Sequence, residues 1–340
     1  GVDVKLSDAH EVAEEEKPFE GEEVPPAVWA EADDSNTTTS PQTPPSVSNA
    51  SLTASASTCA VVPPAVPKDY VIPTDDEIRE TIAKERAAVM EMRVAMGMTP
   101  EPDTTTMSAQ ECLKETLTLL RFLRAREFSI PDAVAMYKKQ LAWRQENHID
   151  TILDTPDPRE AMFQCLCGHR NHGYSYEGHP VYYERTGLVK VSELLKNGTD
   201  EDIIRRHIRH MEYAMRRCMY SSKIHGRNVE KIIMIHDLAH LKFAVETAGV
   251  KIFTKTVTID QQMYPERMHR VYIINAPLSF RGAWAVVKPF IDPKSAKKIK
   301  ILGSDFQASL LKEIPLSQLP EMYGGNCRCE YSNGDHCVPW

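Results

Sequence analysis

Lys231-Ile-Ile-Met-Ile-His236 and Val271-Tyr-Ile-Ile-Asn275 decide the fold of this chain. Each is a short, continuous apolar run, as expected for a strand buried on both faces. Leu241–Met263 lies between them and is long enough for a crossover helix. A strand–helix–strand unit of this kind implies parallel neighbours and a right-handed connection. Further strands are expected at Val181-Tyr-Tyr-Glu184 and Lys298-Ile-Lys-Ile-Leu302. Ile204, Ile208, Met211 and Met215 stripe one helix; Phe280, Trp284, Val287 and Ile291 stripe another at i, i+4, i+7 and i+11. The fold class is α/β.

Upstream of these elements the pattern is helical only. Asp75–Met98 is charged with scattered aliphatics, and Leu113, Leu117 and Leu120 recur at helical spacing. Ser129-Ile-Pro-Asp132 reads as a helix start, with Ser as cap, Pro in the first turn and an acid at the positive end. Val134, Tyr137 and Leu141 then line one face. We assign residues 73–147 to a helical N-terminal subdomain, 148–328 to the strand-and-helix domain, and 329–340 to a tail. Residues 1–72 are acidic at first and then rich in Ser, Thr and Pro. Such a segment buries too little apolar surface to offset chain entropy and is expected to be disordered.

The chain has 340 residues and a net charge of −8, from 40 basic and 48 acidic side chains. Much of the excess sits in residues 1–34, so the remainder is close to neutral. That balance argues against a nucleic-acid partner. No apolar run approaches the ~18 residues that span a bilayer. The sequence starts at Gly1, and Lys5 stands where a myristoylation signal wants Ser or Thr. The 8 cysteines are thinly spread and read as reduced thiols of a cytosolic protein.

No Gly-rich phosphate loop, nucleophile elbow or H-E-x-x-H is present, so an enzyme is not expected. Cys165-Leu-Cys167-Gly-His169-Arg-Asn-His172 clusters soft ligands, but its spacing departs from zinc patterns. The plainer reading is a loop with free thiols and solvent-facing histidines. Cys327, Cys329, His336 and Cys337 form a similar group near the C-terminus. No metal is expected at either. Asp237, after His236, suits a general base or, more plainly, a structural acceptor of backbone amides. Lys294, Lys297, Lys298 and Lys300 form a basic run, either a solvated face or a surface for anionic headgroups.

Several separate motifs, in order, resemble the CRAL-TRIO family. They are Leu119-Leu-Arg-Phe-Leu-Arg-Ala-Arg126, Tyr264-Pro-Glu-Arg-Met268 followed by Tyr272-Ile-Ile-Asn-Ala-Pro277, Lys288-Pro-Phe-Ile-Asp-Pro293 with Ile301-Leu-Gly303, and Leu319-Pro320 with Tyr323-Gly-Gly325. The nearest branch is the Sec-fourteen-type phosphatidylinositol/phosphatidylcholine transfer proteins. The resemblance implies a helical N-terminal subdomain and a lipid-binding domain with a β-sheet floor. It also implies an apolar cleft under a helical gate, matched here by Phe280, Trp284, Val287 and Ile291. A lipid carrier needs such an interior, because two acyl chains cost on the order of 25 kcal/mol in water.

Carried over residue by residue, the headgroup positions for phosphatidylinositol fall on Arg126, Glu266, Ser295 and Lys298. Lys298 is then the phosphate partner, Glu266 an ion-pair organiser and Arg126 a structural cation. Glu127 departs from the family, which prefers Lys there. The phosphatidylcholine site departs further. Its Ser and Thr on the cleft floor are replaced by Ile232 and Met234, and one of its Tyr residues by Asn171, while Tyr182 is retained. Aliphatic side chains donate no hydrogen bond, so weak or absent phosphatidylcholine binding is expected.

The expectation is a phosphatidylinositol-binding transfer protein with no cofactor beyond its bound phospholipid. Its partners would be phospholipids, a transient membrane surface and a phosphoinositide kinase to which the lipid is presented. Its place would be the cytoplasm, peripheral on Golgi or endosomal membranes. The alternatives are a carrier of another hydrophobic ligand, such as a sterol or neutral lipid, and a lipid-sensing scaffold.

Overall fold

The structure is a computed structural model that describes residues 75–241 and 247–328. The tails expected at 1–72 and 329–340, with Cys59, Cys329, His336 and Cys337, lie outside the described residues. The elements run α1 (Asp75–Ala95), α2 (Ala109–Ala125), α3 (Ile130–Glu146), α4 (Glu160–Leu166), β1 (His169–Tyr174), β2 (Pro180–Glu184), α5 (Val191–Asn197), α6 (Asp200–His225), β3 (Ile232–Asp237), α7 (Thr247–Met263), β4 (Met268–Ile274), α8 (Phe280–Val287), α9 (Pro293–Ala296), β5 (Ile299–Ile301) and α10 (Gln307–Leu310). The fold is α/β as expected, with helices α1–α4 preceding a five-stranded sheet ordered β1-β2-β3-β4-β5.

The first three helices share one core, in which Val89, Met92, Leu117, Leu120, Phe122 and Met136 are buried. α2 begins with a capping box: Ser108 Oγ accepts from the Glu111 amide, and Glu111 Oε2 accepts from the Ser108 amide. At α3, Ser129 is the cap residue, but its hydroxyl donates to Asp132 Oδ2 (2.6 Å) rather than accepting from a backbone amide. Val134 and Tyr137 pack on the core, whereas Leu141 is exposed. The buried face is instead set by Ala133 and Met136, at a spacing of three.

β1 and β2 pair antiparallel, and the remaining pairs are parallel, so β3 and β4 are parallel neighbours. β3 is not apolar on both sides in the same way. Ile233 and Ile235 point into a dry core with Val181, Tyr183, Tyr272 and Ile274, closed by Phe306, Leu310, Ile314, Leu319 and Tyr323. Each fully buried aliphatic there contributes about 1.5–3 kcal/mol. The opposite face carries Ile232, Met234 and His236 toward α6 and α7. α6 presents the expected stripe, with Ile208 and Met211 buried and Ile204 and Met215 packed beside them.

β1 corrects the loop expected around Cys165–His172. His169 and His172 are buried strand residues, not solvent-facing ones, and Cys167 is buried as well. Burial pushes the Cys167 thiol up to about 11 and that of Cys218 to about 12, so neither is reactive at neutral pH. The expected Phe280–Ile291 helix is also shorter. α8 stops at Val287, a single 3-10 turn covers Lys288–Phe290, and Ile291 is extended. Pro289 has no amide to continue the helical ladder.

After the sheet, the chain folds back through Tyr323-Gly-Gly325. Tyr323 stacks on Tyr183, with ring centroids 5.4 Å apart. A side chain at Gly325 would overlap the Leu319 carbonyl, which accepts from the Cys327 amide (3.2 Å). Gly325→Ala is therefore expected to cost about 3 kcal/mol through forced backbone displacement. A lowered urea midpoint checks this; an unchanged midpoint would contradict the close approach.

Candidate functional site

Two regions gather the expected site residues. The first lies where the end of α2 meets the segment around α9. α2 ends at Arg126, whose guanidinium donates to the Ala125 carbonyl (3.1 Å). Glu127 and Phe128 then take left-handed backbone conformations, which turn the chain sharply. Lys294 Nζ reaches both Glu127 Oε1 (3.1 Å) and the Arg124 carbonyl (3.4 Å), joining this turn to α9. The charge reversal at Glu127 is thus matched by a neighbouring cation.

α9 is started by Pro293 and capped by Asp292, whose carboxylate accepts from the Ser295 amide (2.9 Å). One turn later Lys298 Nζ lies 3.4 Å from Glu266 Oε2. Glu266 sits in a left-handed conformation just before β4, and Lys231 Nζ stands 3.8 Å from the same carboxylate oxygen. Burial lowers the Lys231 ammonium, Glu266 opposes this, and Lys298 and Arg124 reinforce it. The structure therefore gathers Glu266, Lys298 and Lys231 directly and sets Arg126 and Ser295 on the adjoining turns. Sequence reading missed Lys231; its only signal was its place one residue before a buried strand.

A second ion-pair group lies close by in sequence. Arg121 and Arg267 both engage Glu230, Arg267 Nη1 at 3.5 Å from its carboxylate. Burial and the Arg267 charge lower the Arg121 guanidinium to about 10. Arg121 thus ties α2 to the sheet, which accounts for the arginine in that motif without a ligand.

The second region is the sheet floor facing α6–α8. Asn171, Tyr182, Met234 and Val271 are successive partners across β1–β4 and form one row. The next row is His169, Glu184, His236 and Ile273. The expected cleft positions Tyr182 and Met234 are therefore side by side. Ile232 is 3% exposed and packed with Ile259 and Tyr264. Toward β4 and β5 the floor is apolar, where Val271, Ile273 and Ile299 meet Phe280 and Trp284 of α8. Over β1 and β2, and at His236 of β3, it is polar.

Most of the polar half is internally paired, Asn171 Oδ1 and Arg206 Nε being buried atoms of it without a hydrogen bond. Glu184 accepts from Tyr182 Oη (2.7 Å) and Thr186 Oγ1 (3.1 Å), and His236 Nδ1 lies 3.8 Å away. Arg206 Nη2 contacts His169 Nδ1 (2.6 Å), and the Arg206 guanidinium sits over the Phe163 ring at 5.2 Å. His207 pairs with Asp260 (2.7 Å). A cavity of about 300 Å³ adjoins this half, lined by Leu153, His169, Arg170, Asn171, Arg209 and His210. Asp237 takes the plainer of its two roles: its carboxylate accepts from the Ala239 amide (2.9 Å) and Asn275 Nδ2 (2.7 Å).

This cluster makes stability pH-dependent. Burial, aided by Arg206, lowers His169 to about 4. Burial also lowers His236 and His210, the latter strongly with Arg206 beside it. These histidines bind protons more weakly folded than unfolded. Stability rises with pH wherever the unfolded chain holds more protons. Their contribution is complete above their ordinary value of ~6.5 and is lost as pH falls toward 4. Burial raises Glu184, but His236, Arg206 and Tyr182 together hold it at about 2, so its stabilisation fades only in stronger acid. His207 opposes the trend, since Asp260 outweighs burial and raises it. The urea midpoint is expected to fall between pH 6.5 and 4.5, His169 alone contributing on the order of 2 kcal/mol. A flat profile would remove the histidine cluster from the folded core.

The CRAL/TRIO domain matches residues 171–325, and the CRAL/TRIO N-terminal domain matches residues 76–139. The SEC14 cytosolic factor of Eremothecium gossypii is 33% identical over 77% of this chain and 89% of its own length. The phosphatidylinositol/phosphatidylcholine transfer proteins SFH9 and SFH4 of Arabidopsis thaliana are each 36% identical over 64% of this chain. The chain spans 38% and 36% of the length of those two relatives. The crystal structure of Sfh5 shares the fold at a TM-score of 0.51 and 17% identity, over 72% of this chain and 85% of that one.

Proposed function

We propose that this chain, which belongs to the CRAL/TRIO family, binds phosphatidylinositol and transfers it between membranes. The observation that carries the reading is the Lys298–Glu266 pair at 3.4 Å with Lys231 beside it. A phosphate diester is costly to remove from water unless a cation and hydrogen-bond donors receive it. Lys298 supplies the cation, while Glu266 holds it in place and accepts from inositol hydroxyls. Arg126 and Ser295 border the headgroup. Phe280, Trp284 and Val287 of α8, with Ile291 beyond it, cover the acyl chains.

Delivery occurs at a membrane surface. Leu278, Val286 and Phe290 around α8 are exposed, Leu278 by 82%, next to the exposed Lys288, Lys294 and Lys297. Apolar side chains flanked by lysines suit a transient contact with an anionic bilayer. Among the described residues no helix is long and apolar enough to cross a membrane. Cytoplasmic residence with peripheral contact on Golgi or endosomal membranes follows from this reading, as does presentation of the bound lipid to a phosphoinositide kinase. No reaction is assigned to the chain.

A second ligand is favoured over phosphatidylcholine by one observation: Ile232 and Met234 offer no donors on the floor. Side-by-side transfer of labelled phosphatidylinositol and phosphatidylcholine between vesicles tests both statements. Transfer of the first, with the second at least about tenfold slower, is expected from the loss of hydrogen bonds to a phosphate. Equal transfer would overturn the phosphatidylcholine statement, and transfer of neither would overturn the phosphatidylinositol reading in favour of a sterol or neutral lipid. Mass spectrometry of lipid extracted from the purified protein identifies the occupant directly.

A further inference from the structure

We propose that Glu177, His179 and His269 bind a divalent transition-metal ion of the zinc class, pinning the β1–β2 turn to the start of β4. One ligand atom from each of the three side chains lies within 4.8 Å of the others. His179 is 8% exposed, and its ring faces that of His269 with centroids 4.2 Å apart. Two imidazoles and one carboxylate form a donor set that zinc accepts readily.

Proton counting at His179 favours a cation. Its Nδ1 lies 3.1 Å from the Lys231 carbonyl, an acceptor, and therefore carries the ring proton of the neutral imidazole. Its Nε2 then directs a lone pair at Glu177 Oε2, 3.2 Å away. Two acceptors at that distance repel unless a positive charge lies between them. A metal ion placed between them supplies it, and the Nδ1–carbonyl bond is the usual device that fixes a ligating histidine's tautomer.

The surroundings hold these groups in position. The Ser175 amide donates to the His179 carbonyl (2.9 Å), and Ser175 Oγ accepts from the His179 amide (3.0 Å). Gly178 adopts a left-handed conformation, and its carbonyl accepts from Ser221 Oγ (2.5 Å). His269 is backed by Glu313, whose Oε2 lies 3.5 Å from Nε2 and whose Oε1 accepts from Arg270 Nε (3.0 Å). Metal–nitrogen bonds of about 2.0–2.1 Å need the three side chains to close by roughly an ångström. Three protein ligands leave a fourth position for water, at a partly exposed edge of the sheet.

The test uses the full chain without a histidine tag, stripped with chelator and titrated with Zn²⁺ and with Co²⁺. One ion per chain is expected, with a tetrahedral Co²⁺ absorption band and a urea midpoint that rises on adding Zn²⁺. His269→Ala and Glu177→Gln are each expected to weaken binding at least about tenfold, with unchanged far-ultraviolet circular dichroism. Both spare the His179 bond to the Lys231 carbonyl. A Cys329→Ser/Cys337→Ser variant is expected to bind as the parent does. Absence of binding at micromolar Zn²⁺, binding unaffected by both substitutions, or binding lost only in the cysteine variant would each overturn the site.

Discussion

Lys298→Glu is expected to abolish phosphatidylinositol transfer while leaving the fold intact. The side chain is 26% exposed, and its ion pair with Glu266 at 3.4 Å is of the partly solvated kind that contributes under about 1 kcal/mol. Its removal therefore shifts the thermal midpoint by only a few degrees. The effect on lipid is larger. A charge-assisted hydrogen bond to the phosphate is worth about 1.5–3 kcal/mol, a factor of roughly 10 to 150 in binding. Reversal adds a carboxylate beside Glu266, so the phosphate then meets two anions. Vesicle-to-vesicle transfer and circular dichroism on the same sample give the two readouts. Unchanged transfer would sink the headgroup assignment. A loss shared equally by every lipid tested would move Lys298 from the headgroup to general membrane docking.

The parallel core of the fold was legible because its signals are local. Lys231–His236 and Val271–Asn275 are apolar enough to declare strands by themselves, and β3 and β4 fall on them with small shifts at the ends. The stripe on α6 likewise needs only a period of 3.6. β1 was not legible, because His169-Arg-Asn-His172 carries no apolar alternation. Its buried His169 donates from Nδ1 to the Cys167 carbonyl (2.8 Å), with Arg206 brought against the ring from α6, partners that no local pattern announces. The end of α8 was misjudged for a simpler reason: a hydrophobic stripe continues through Pro289 although the helix does not. In the headgroup region, family motifs marked Glu266 and Lys298, but nothing in the sequence distinguishes Lys231 from any lysine that precedes a strand. Its role follows only from pairing with Glu266 across the sheet end.

Arg206→Met is expected to destabilise the protein by about 3 kcal/mol, more than any substitution in the headgroup region. Arg206 is 6% exposed and serves three neighbours at once. It contacts His169, lies over the Phe163 ring at 5.2 Å, and helps hold the Glu184 carboxyl at about 2 against the opposing effect of burial. Methionine restores most of the volume and the contact with Phe163, so the loss measures charge rather than packing. Without the guanidinium, Glu184 remains in the floor with His236 as its nearest cation, and that histidine is itself lowered by burial. Glu184 then titrates higher, because the charge that offset its burial is gone. Glu184→Gln in the Arg206→Met background removes the orphaned charge and is expected to recover more than half of the loss, the non-additivity of a coupled pair. Urea midpoints of the two single variants and the double variant supply the cycle. Additive losses would mean that Arg206 stabilises the floor through Phe163 and His169 alone, and that Glu184 is held by Tyr182, Thr186 and His236 without it.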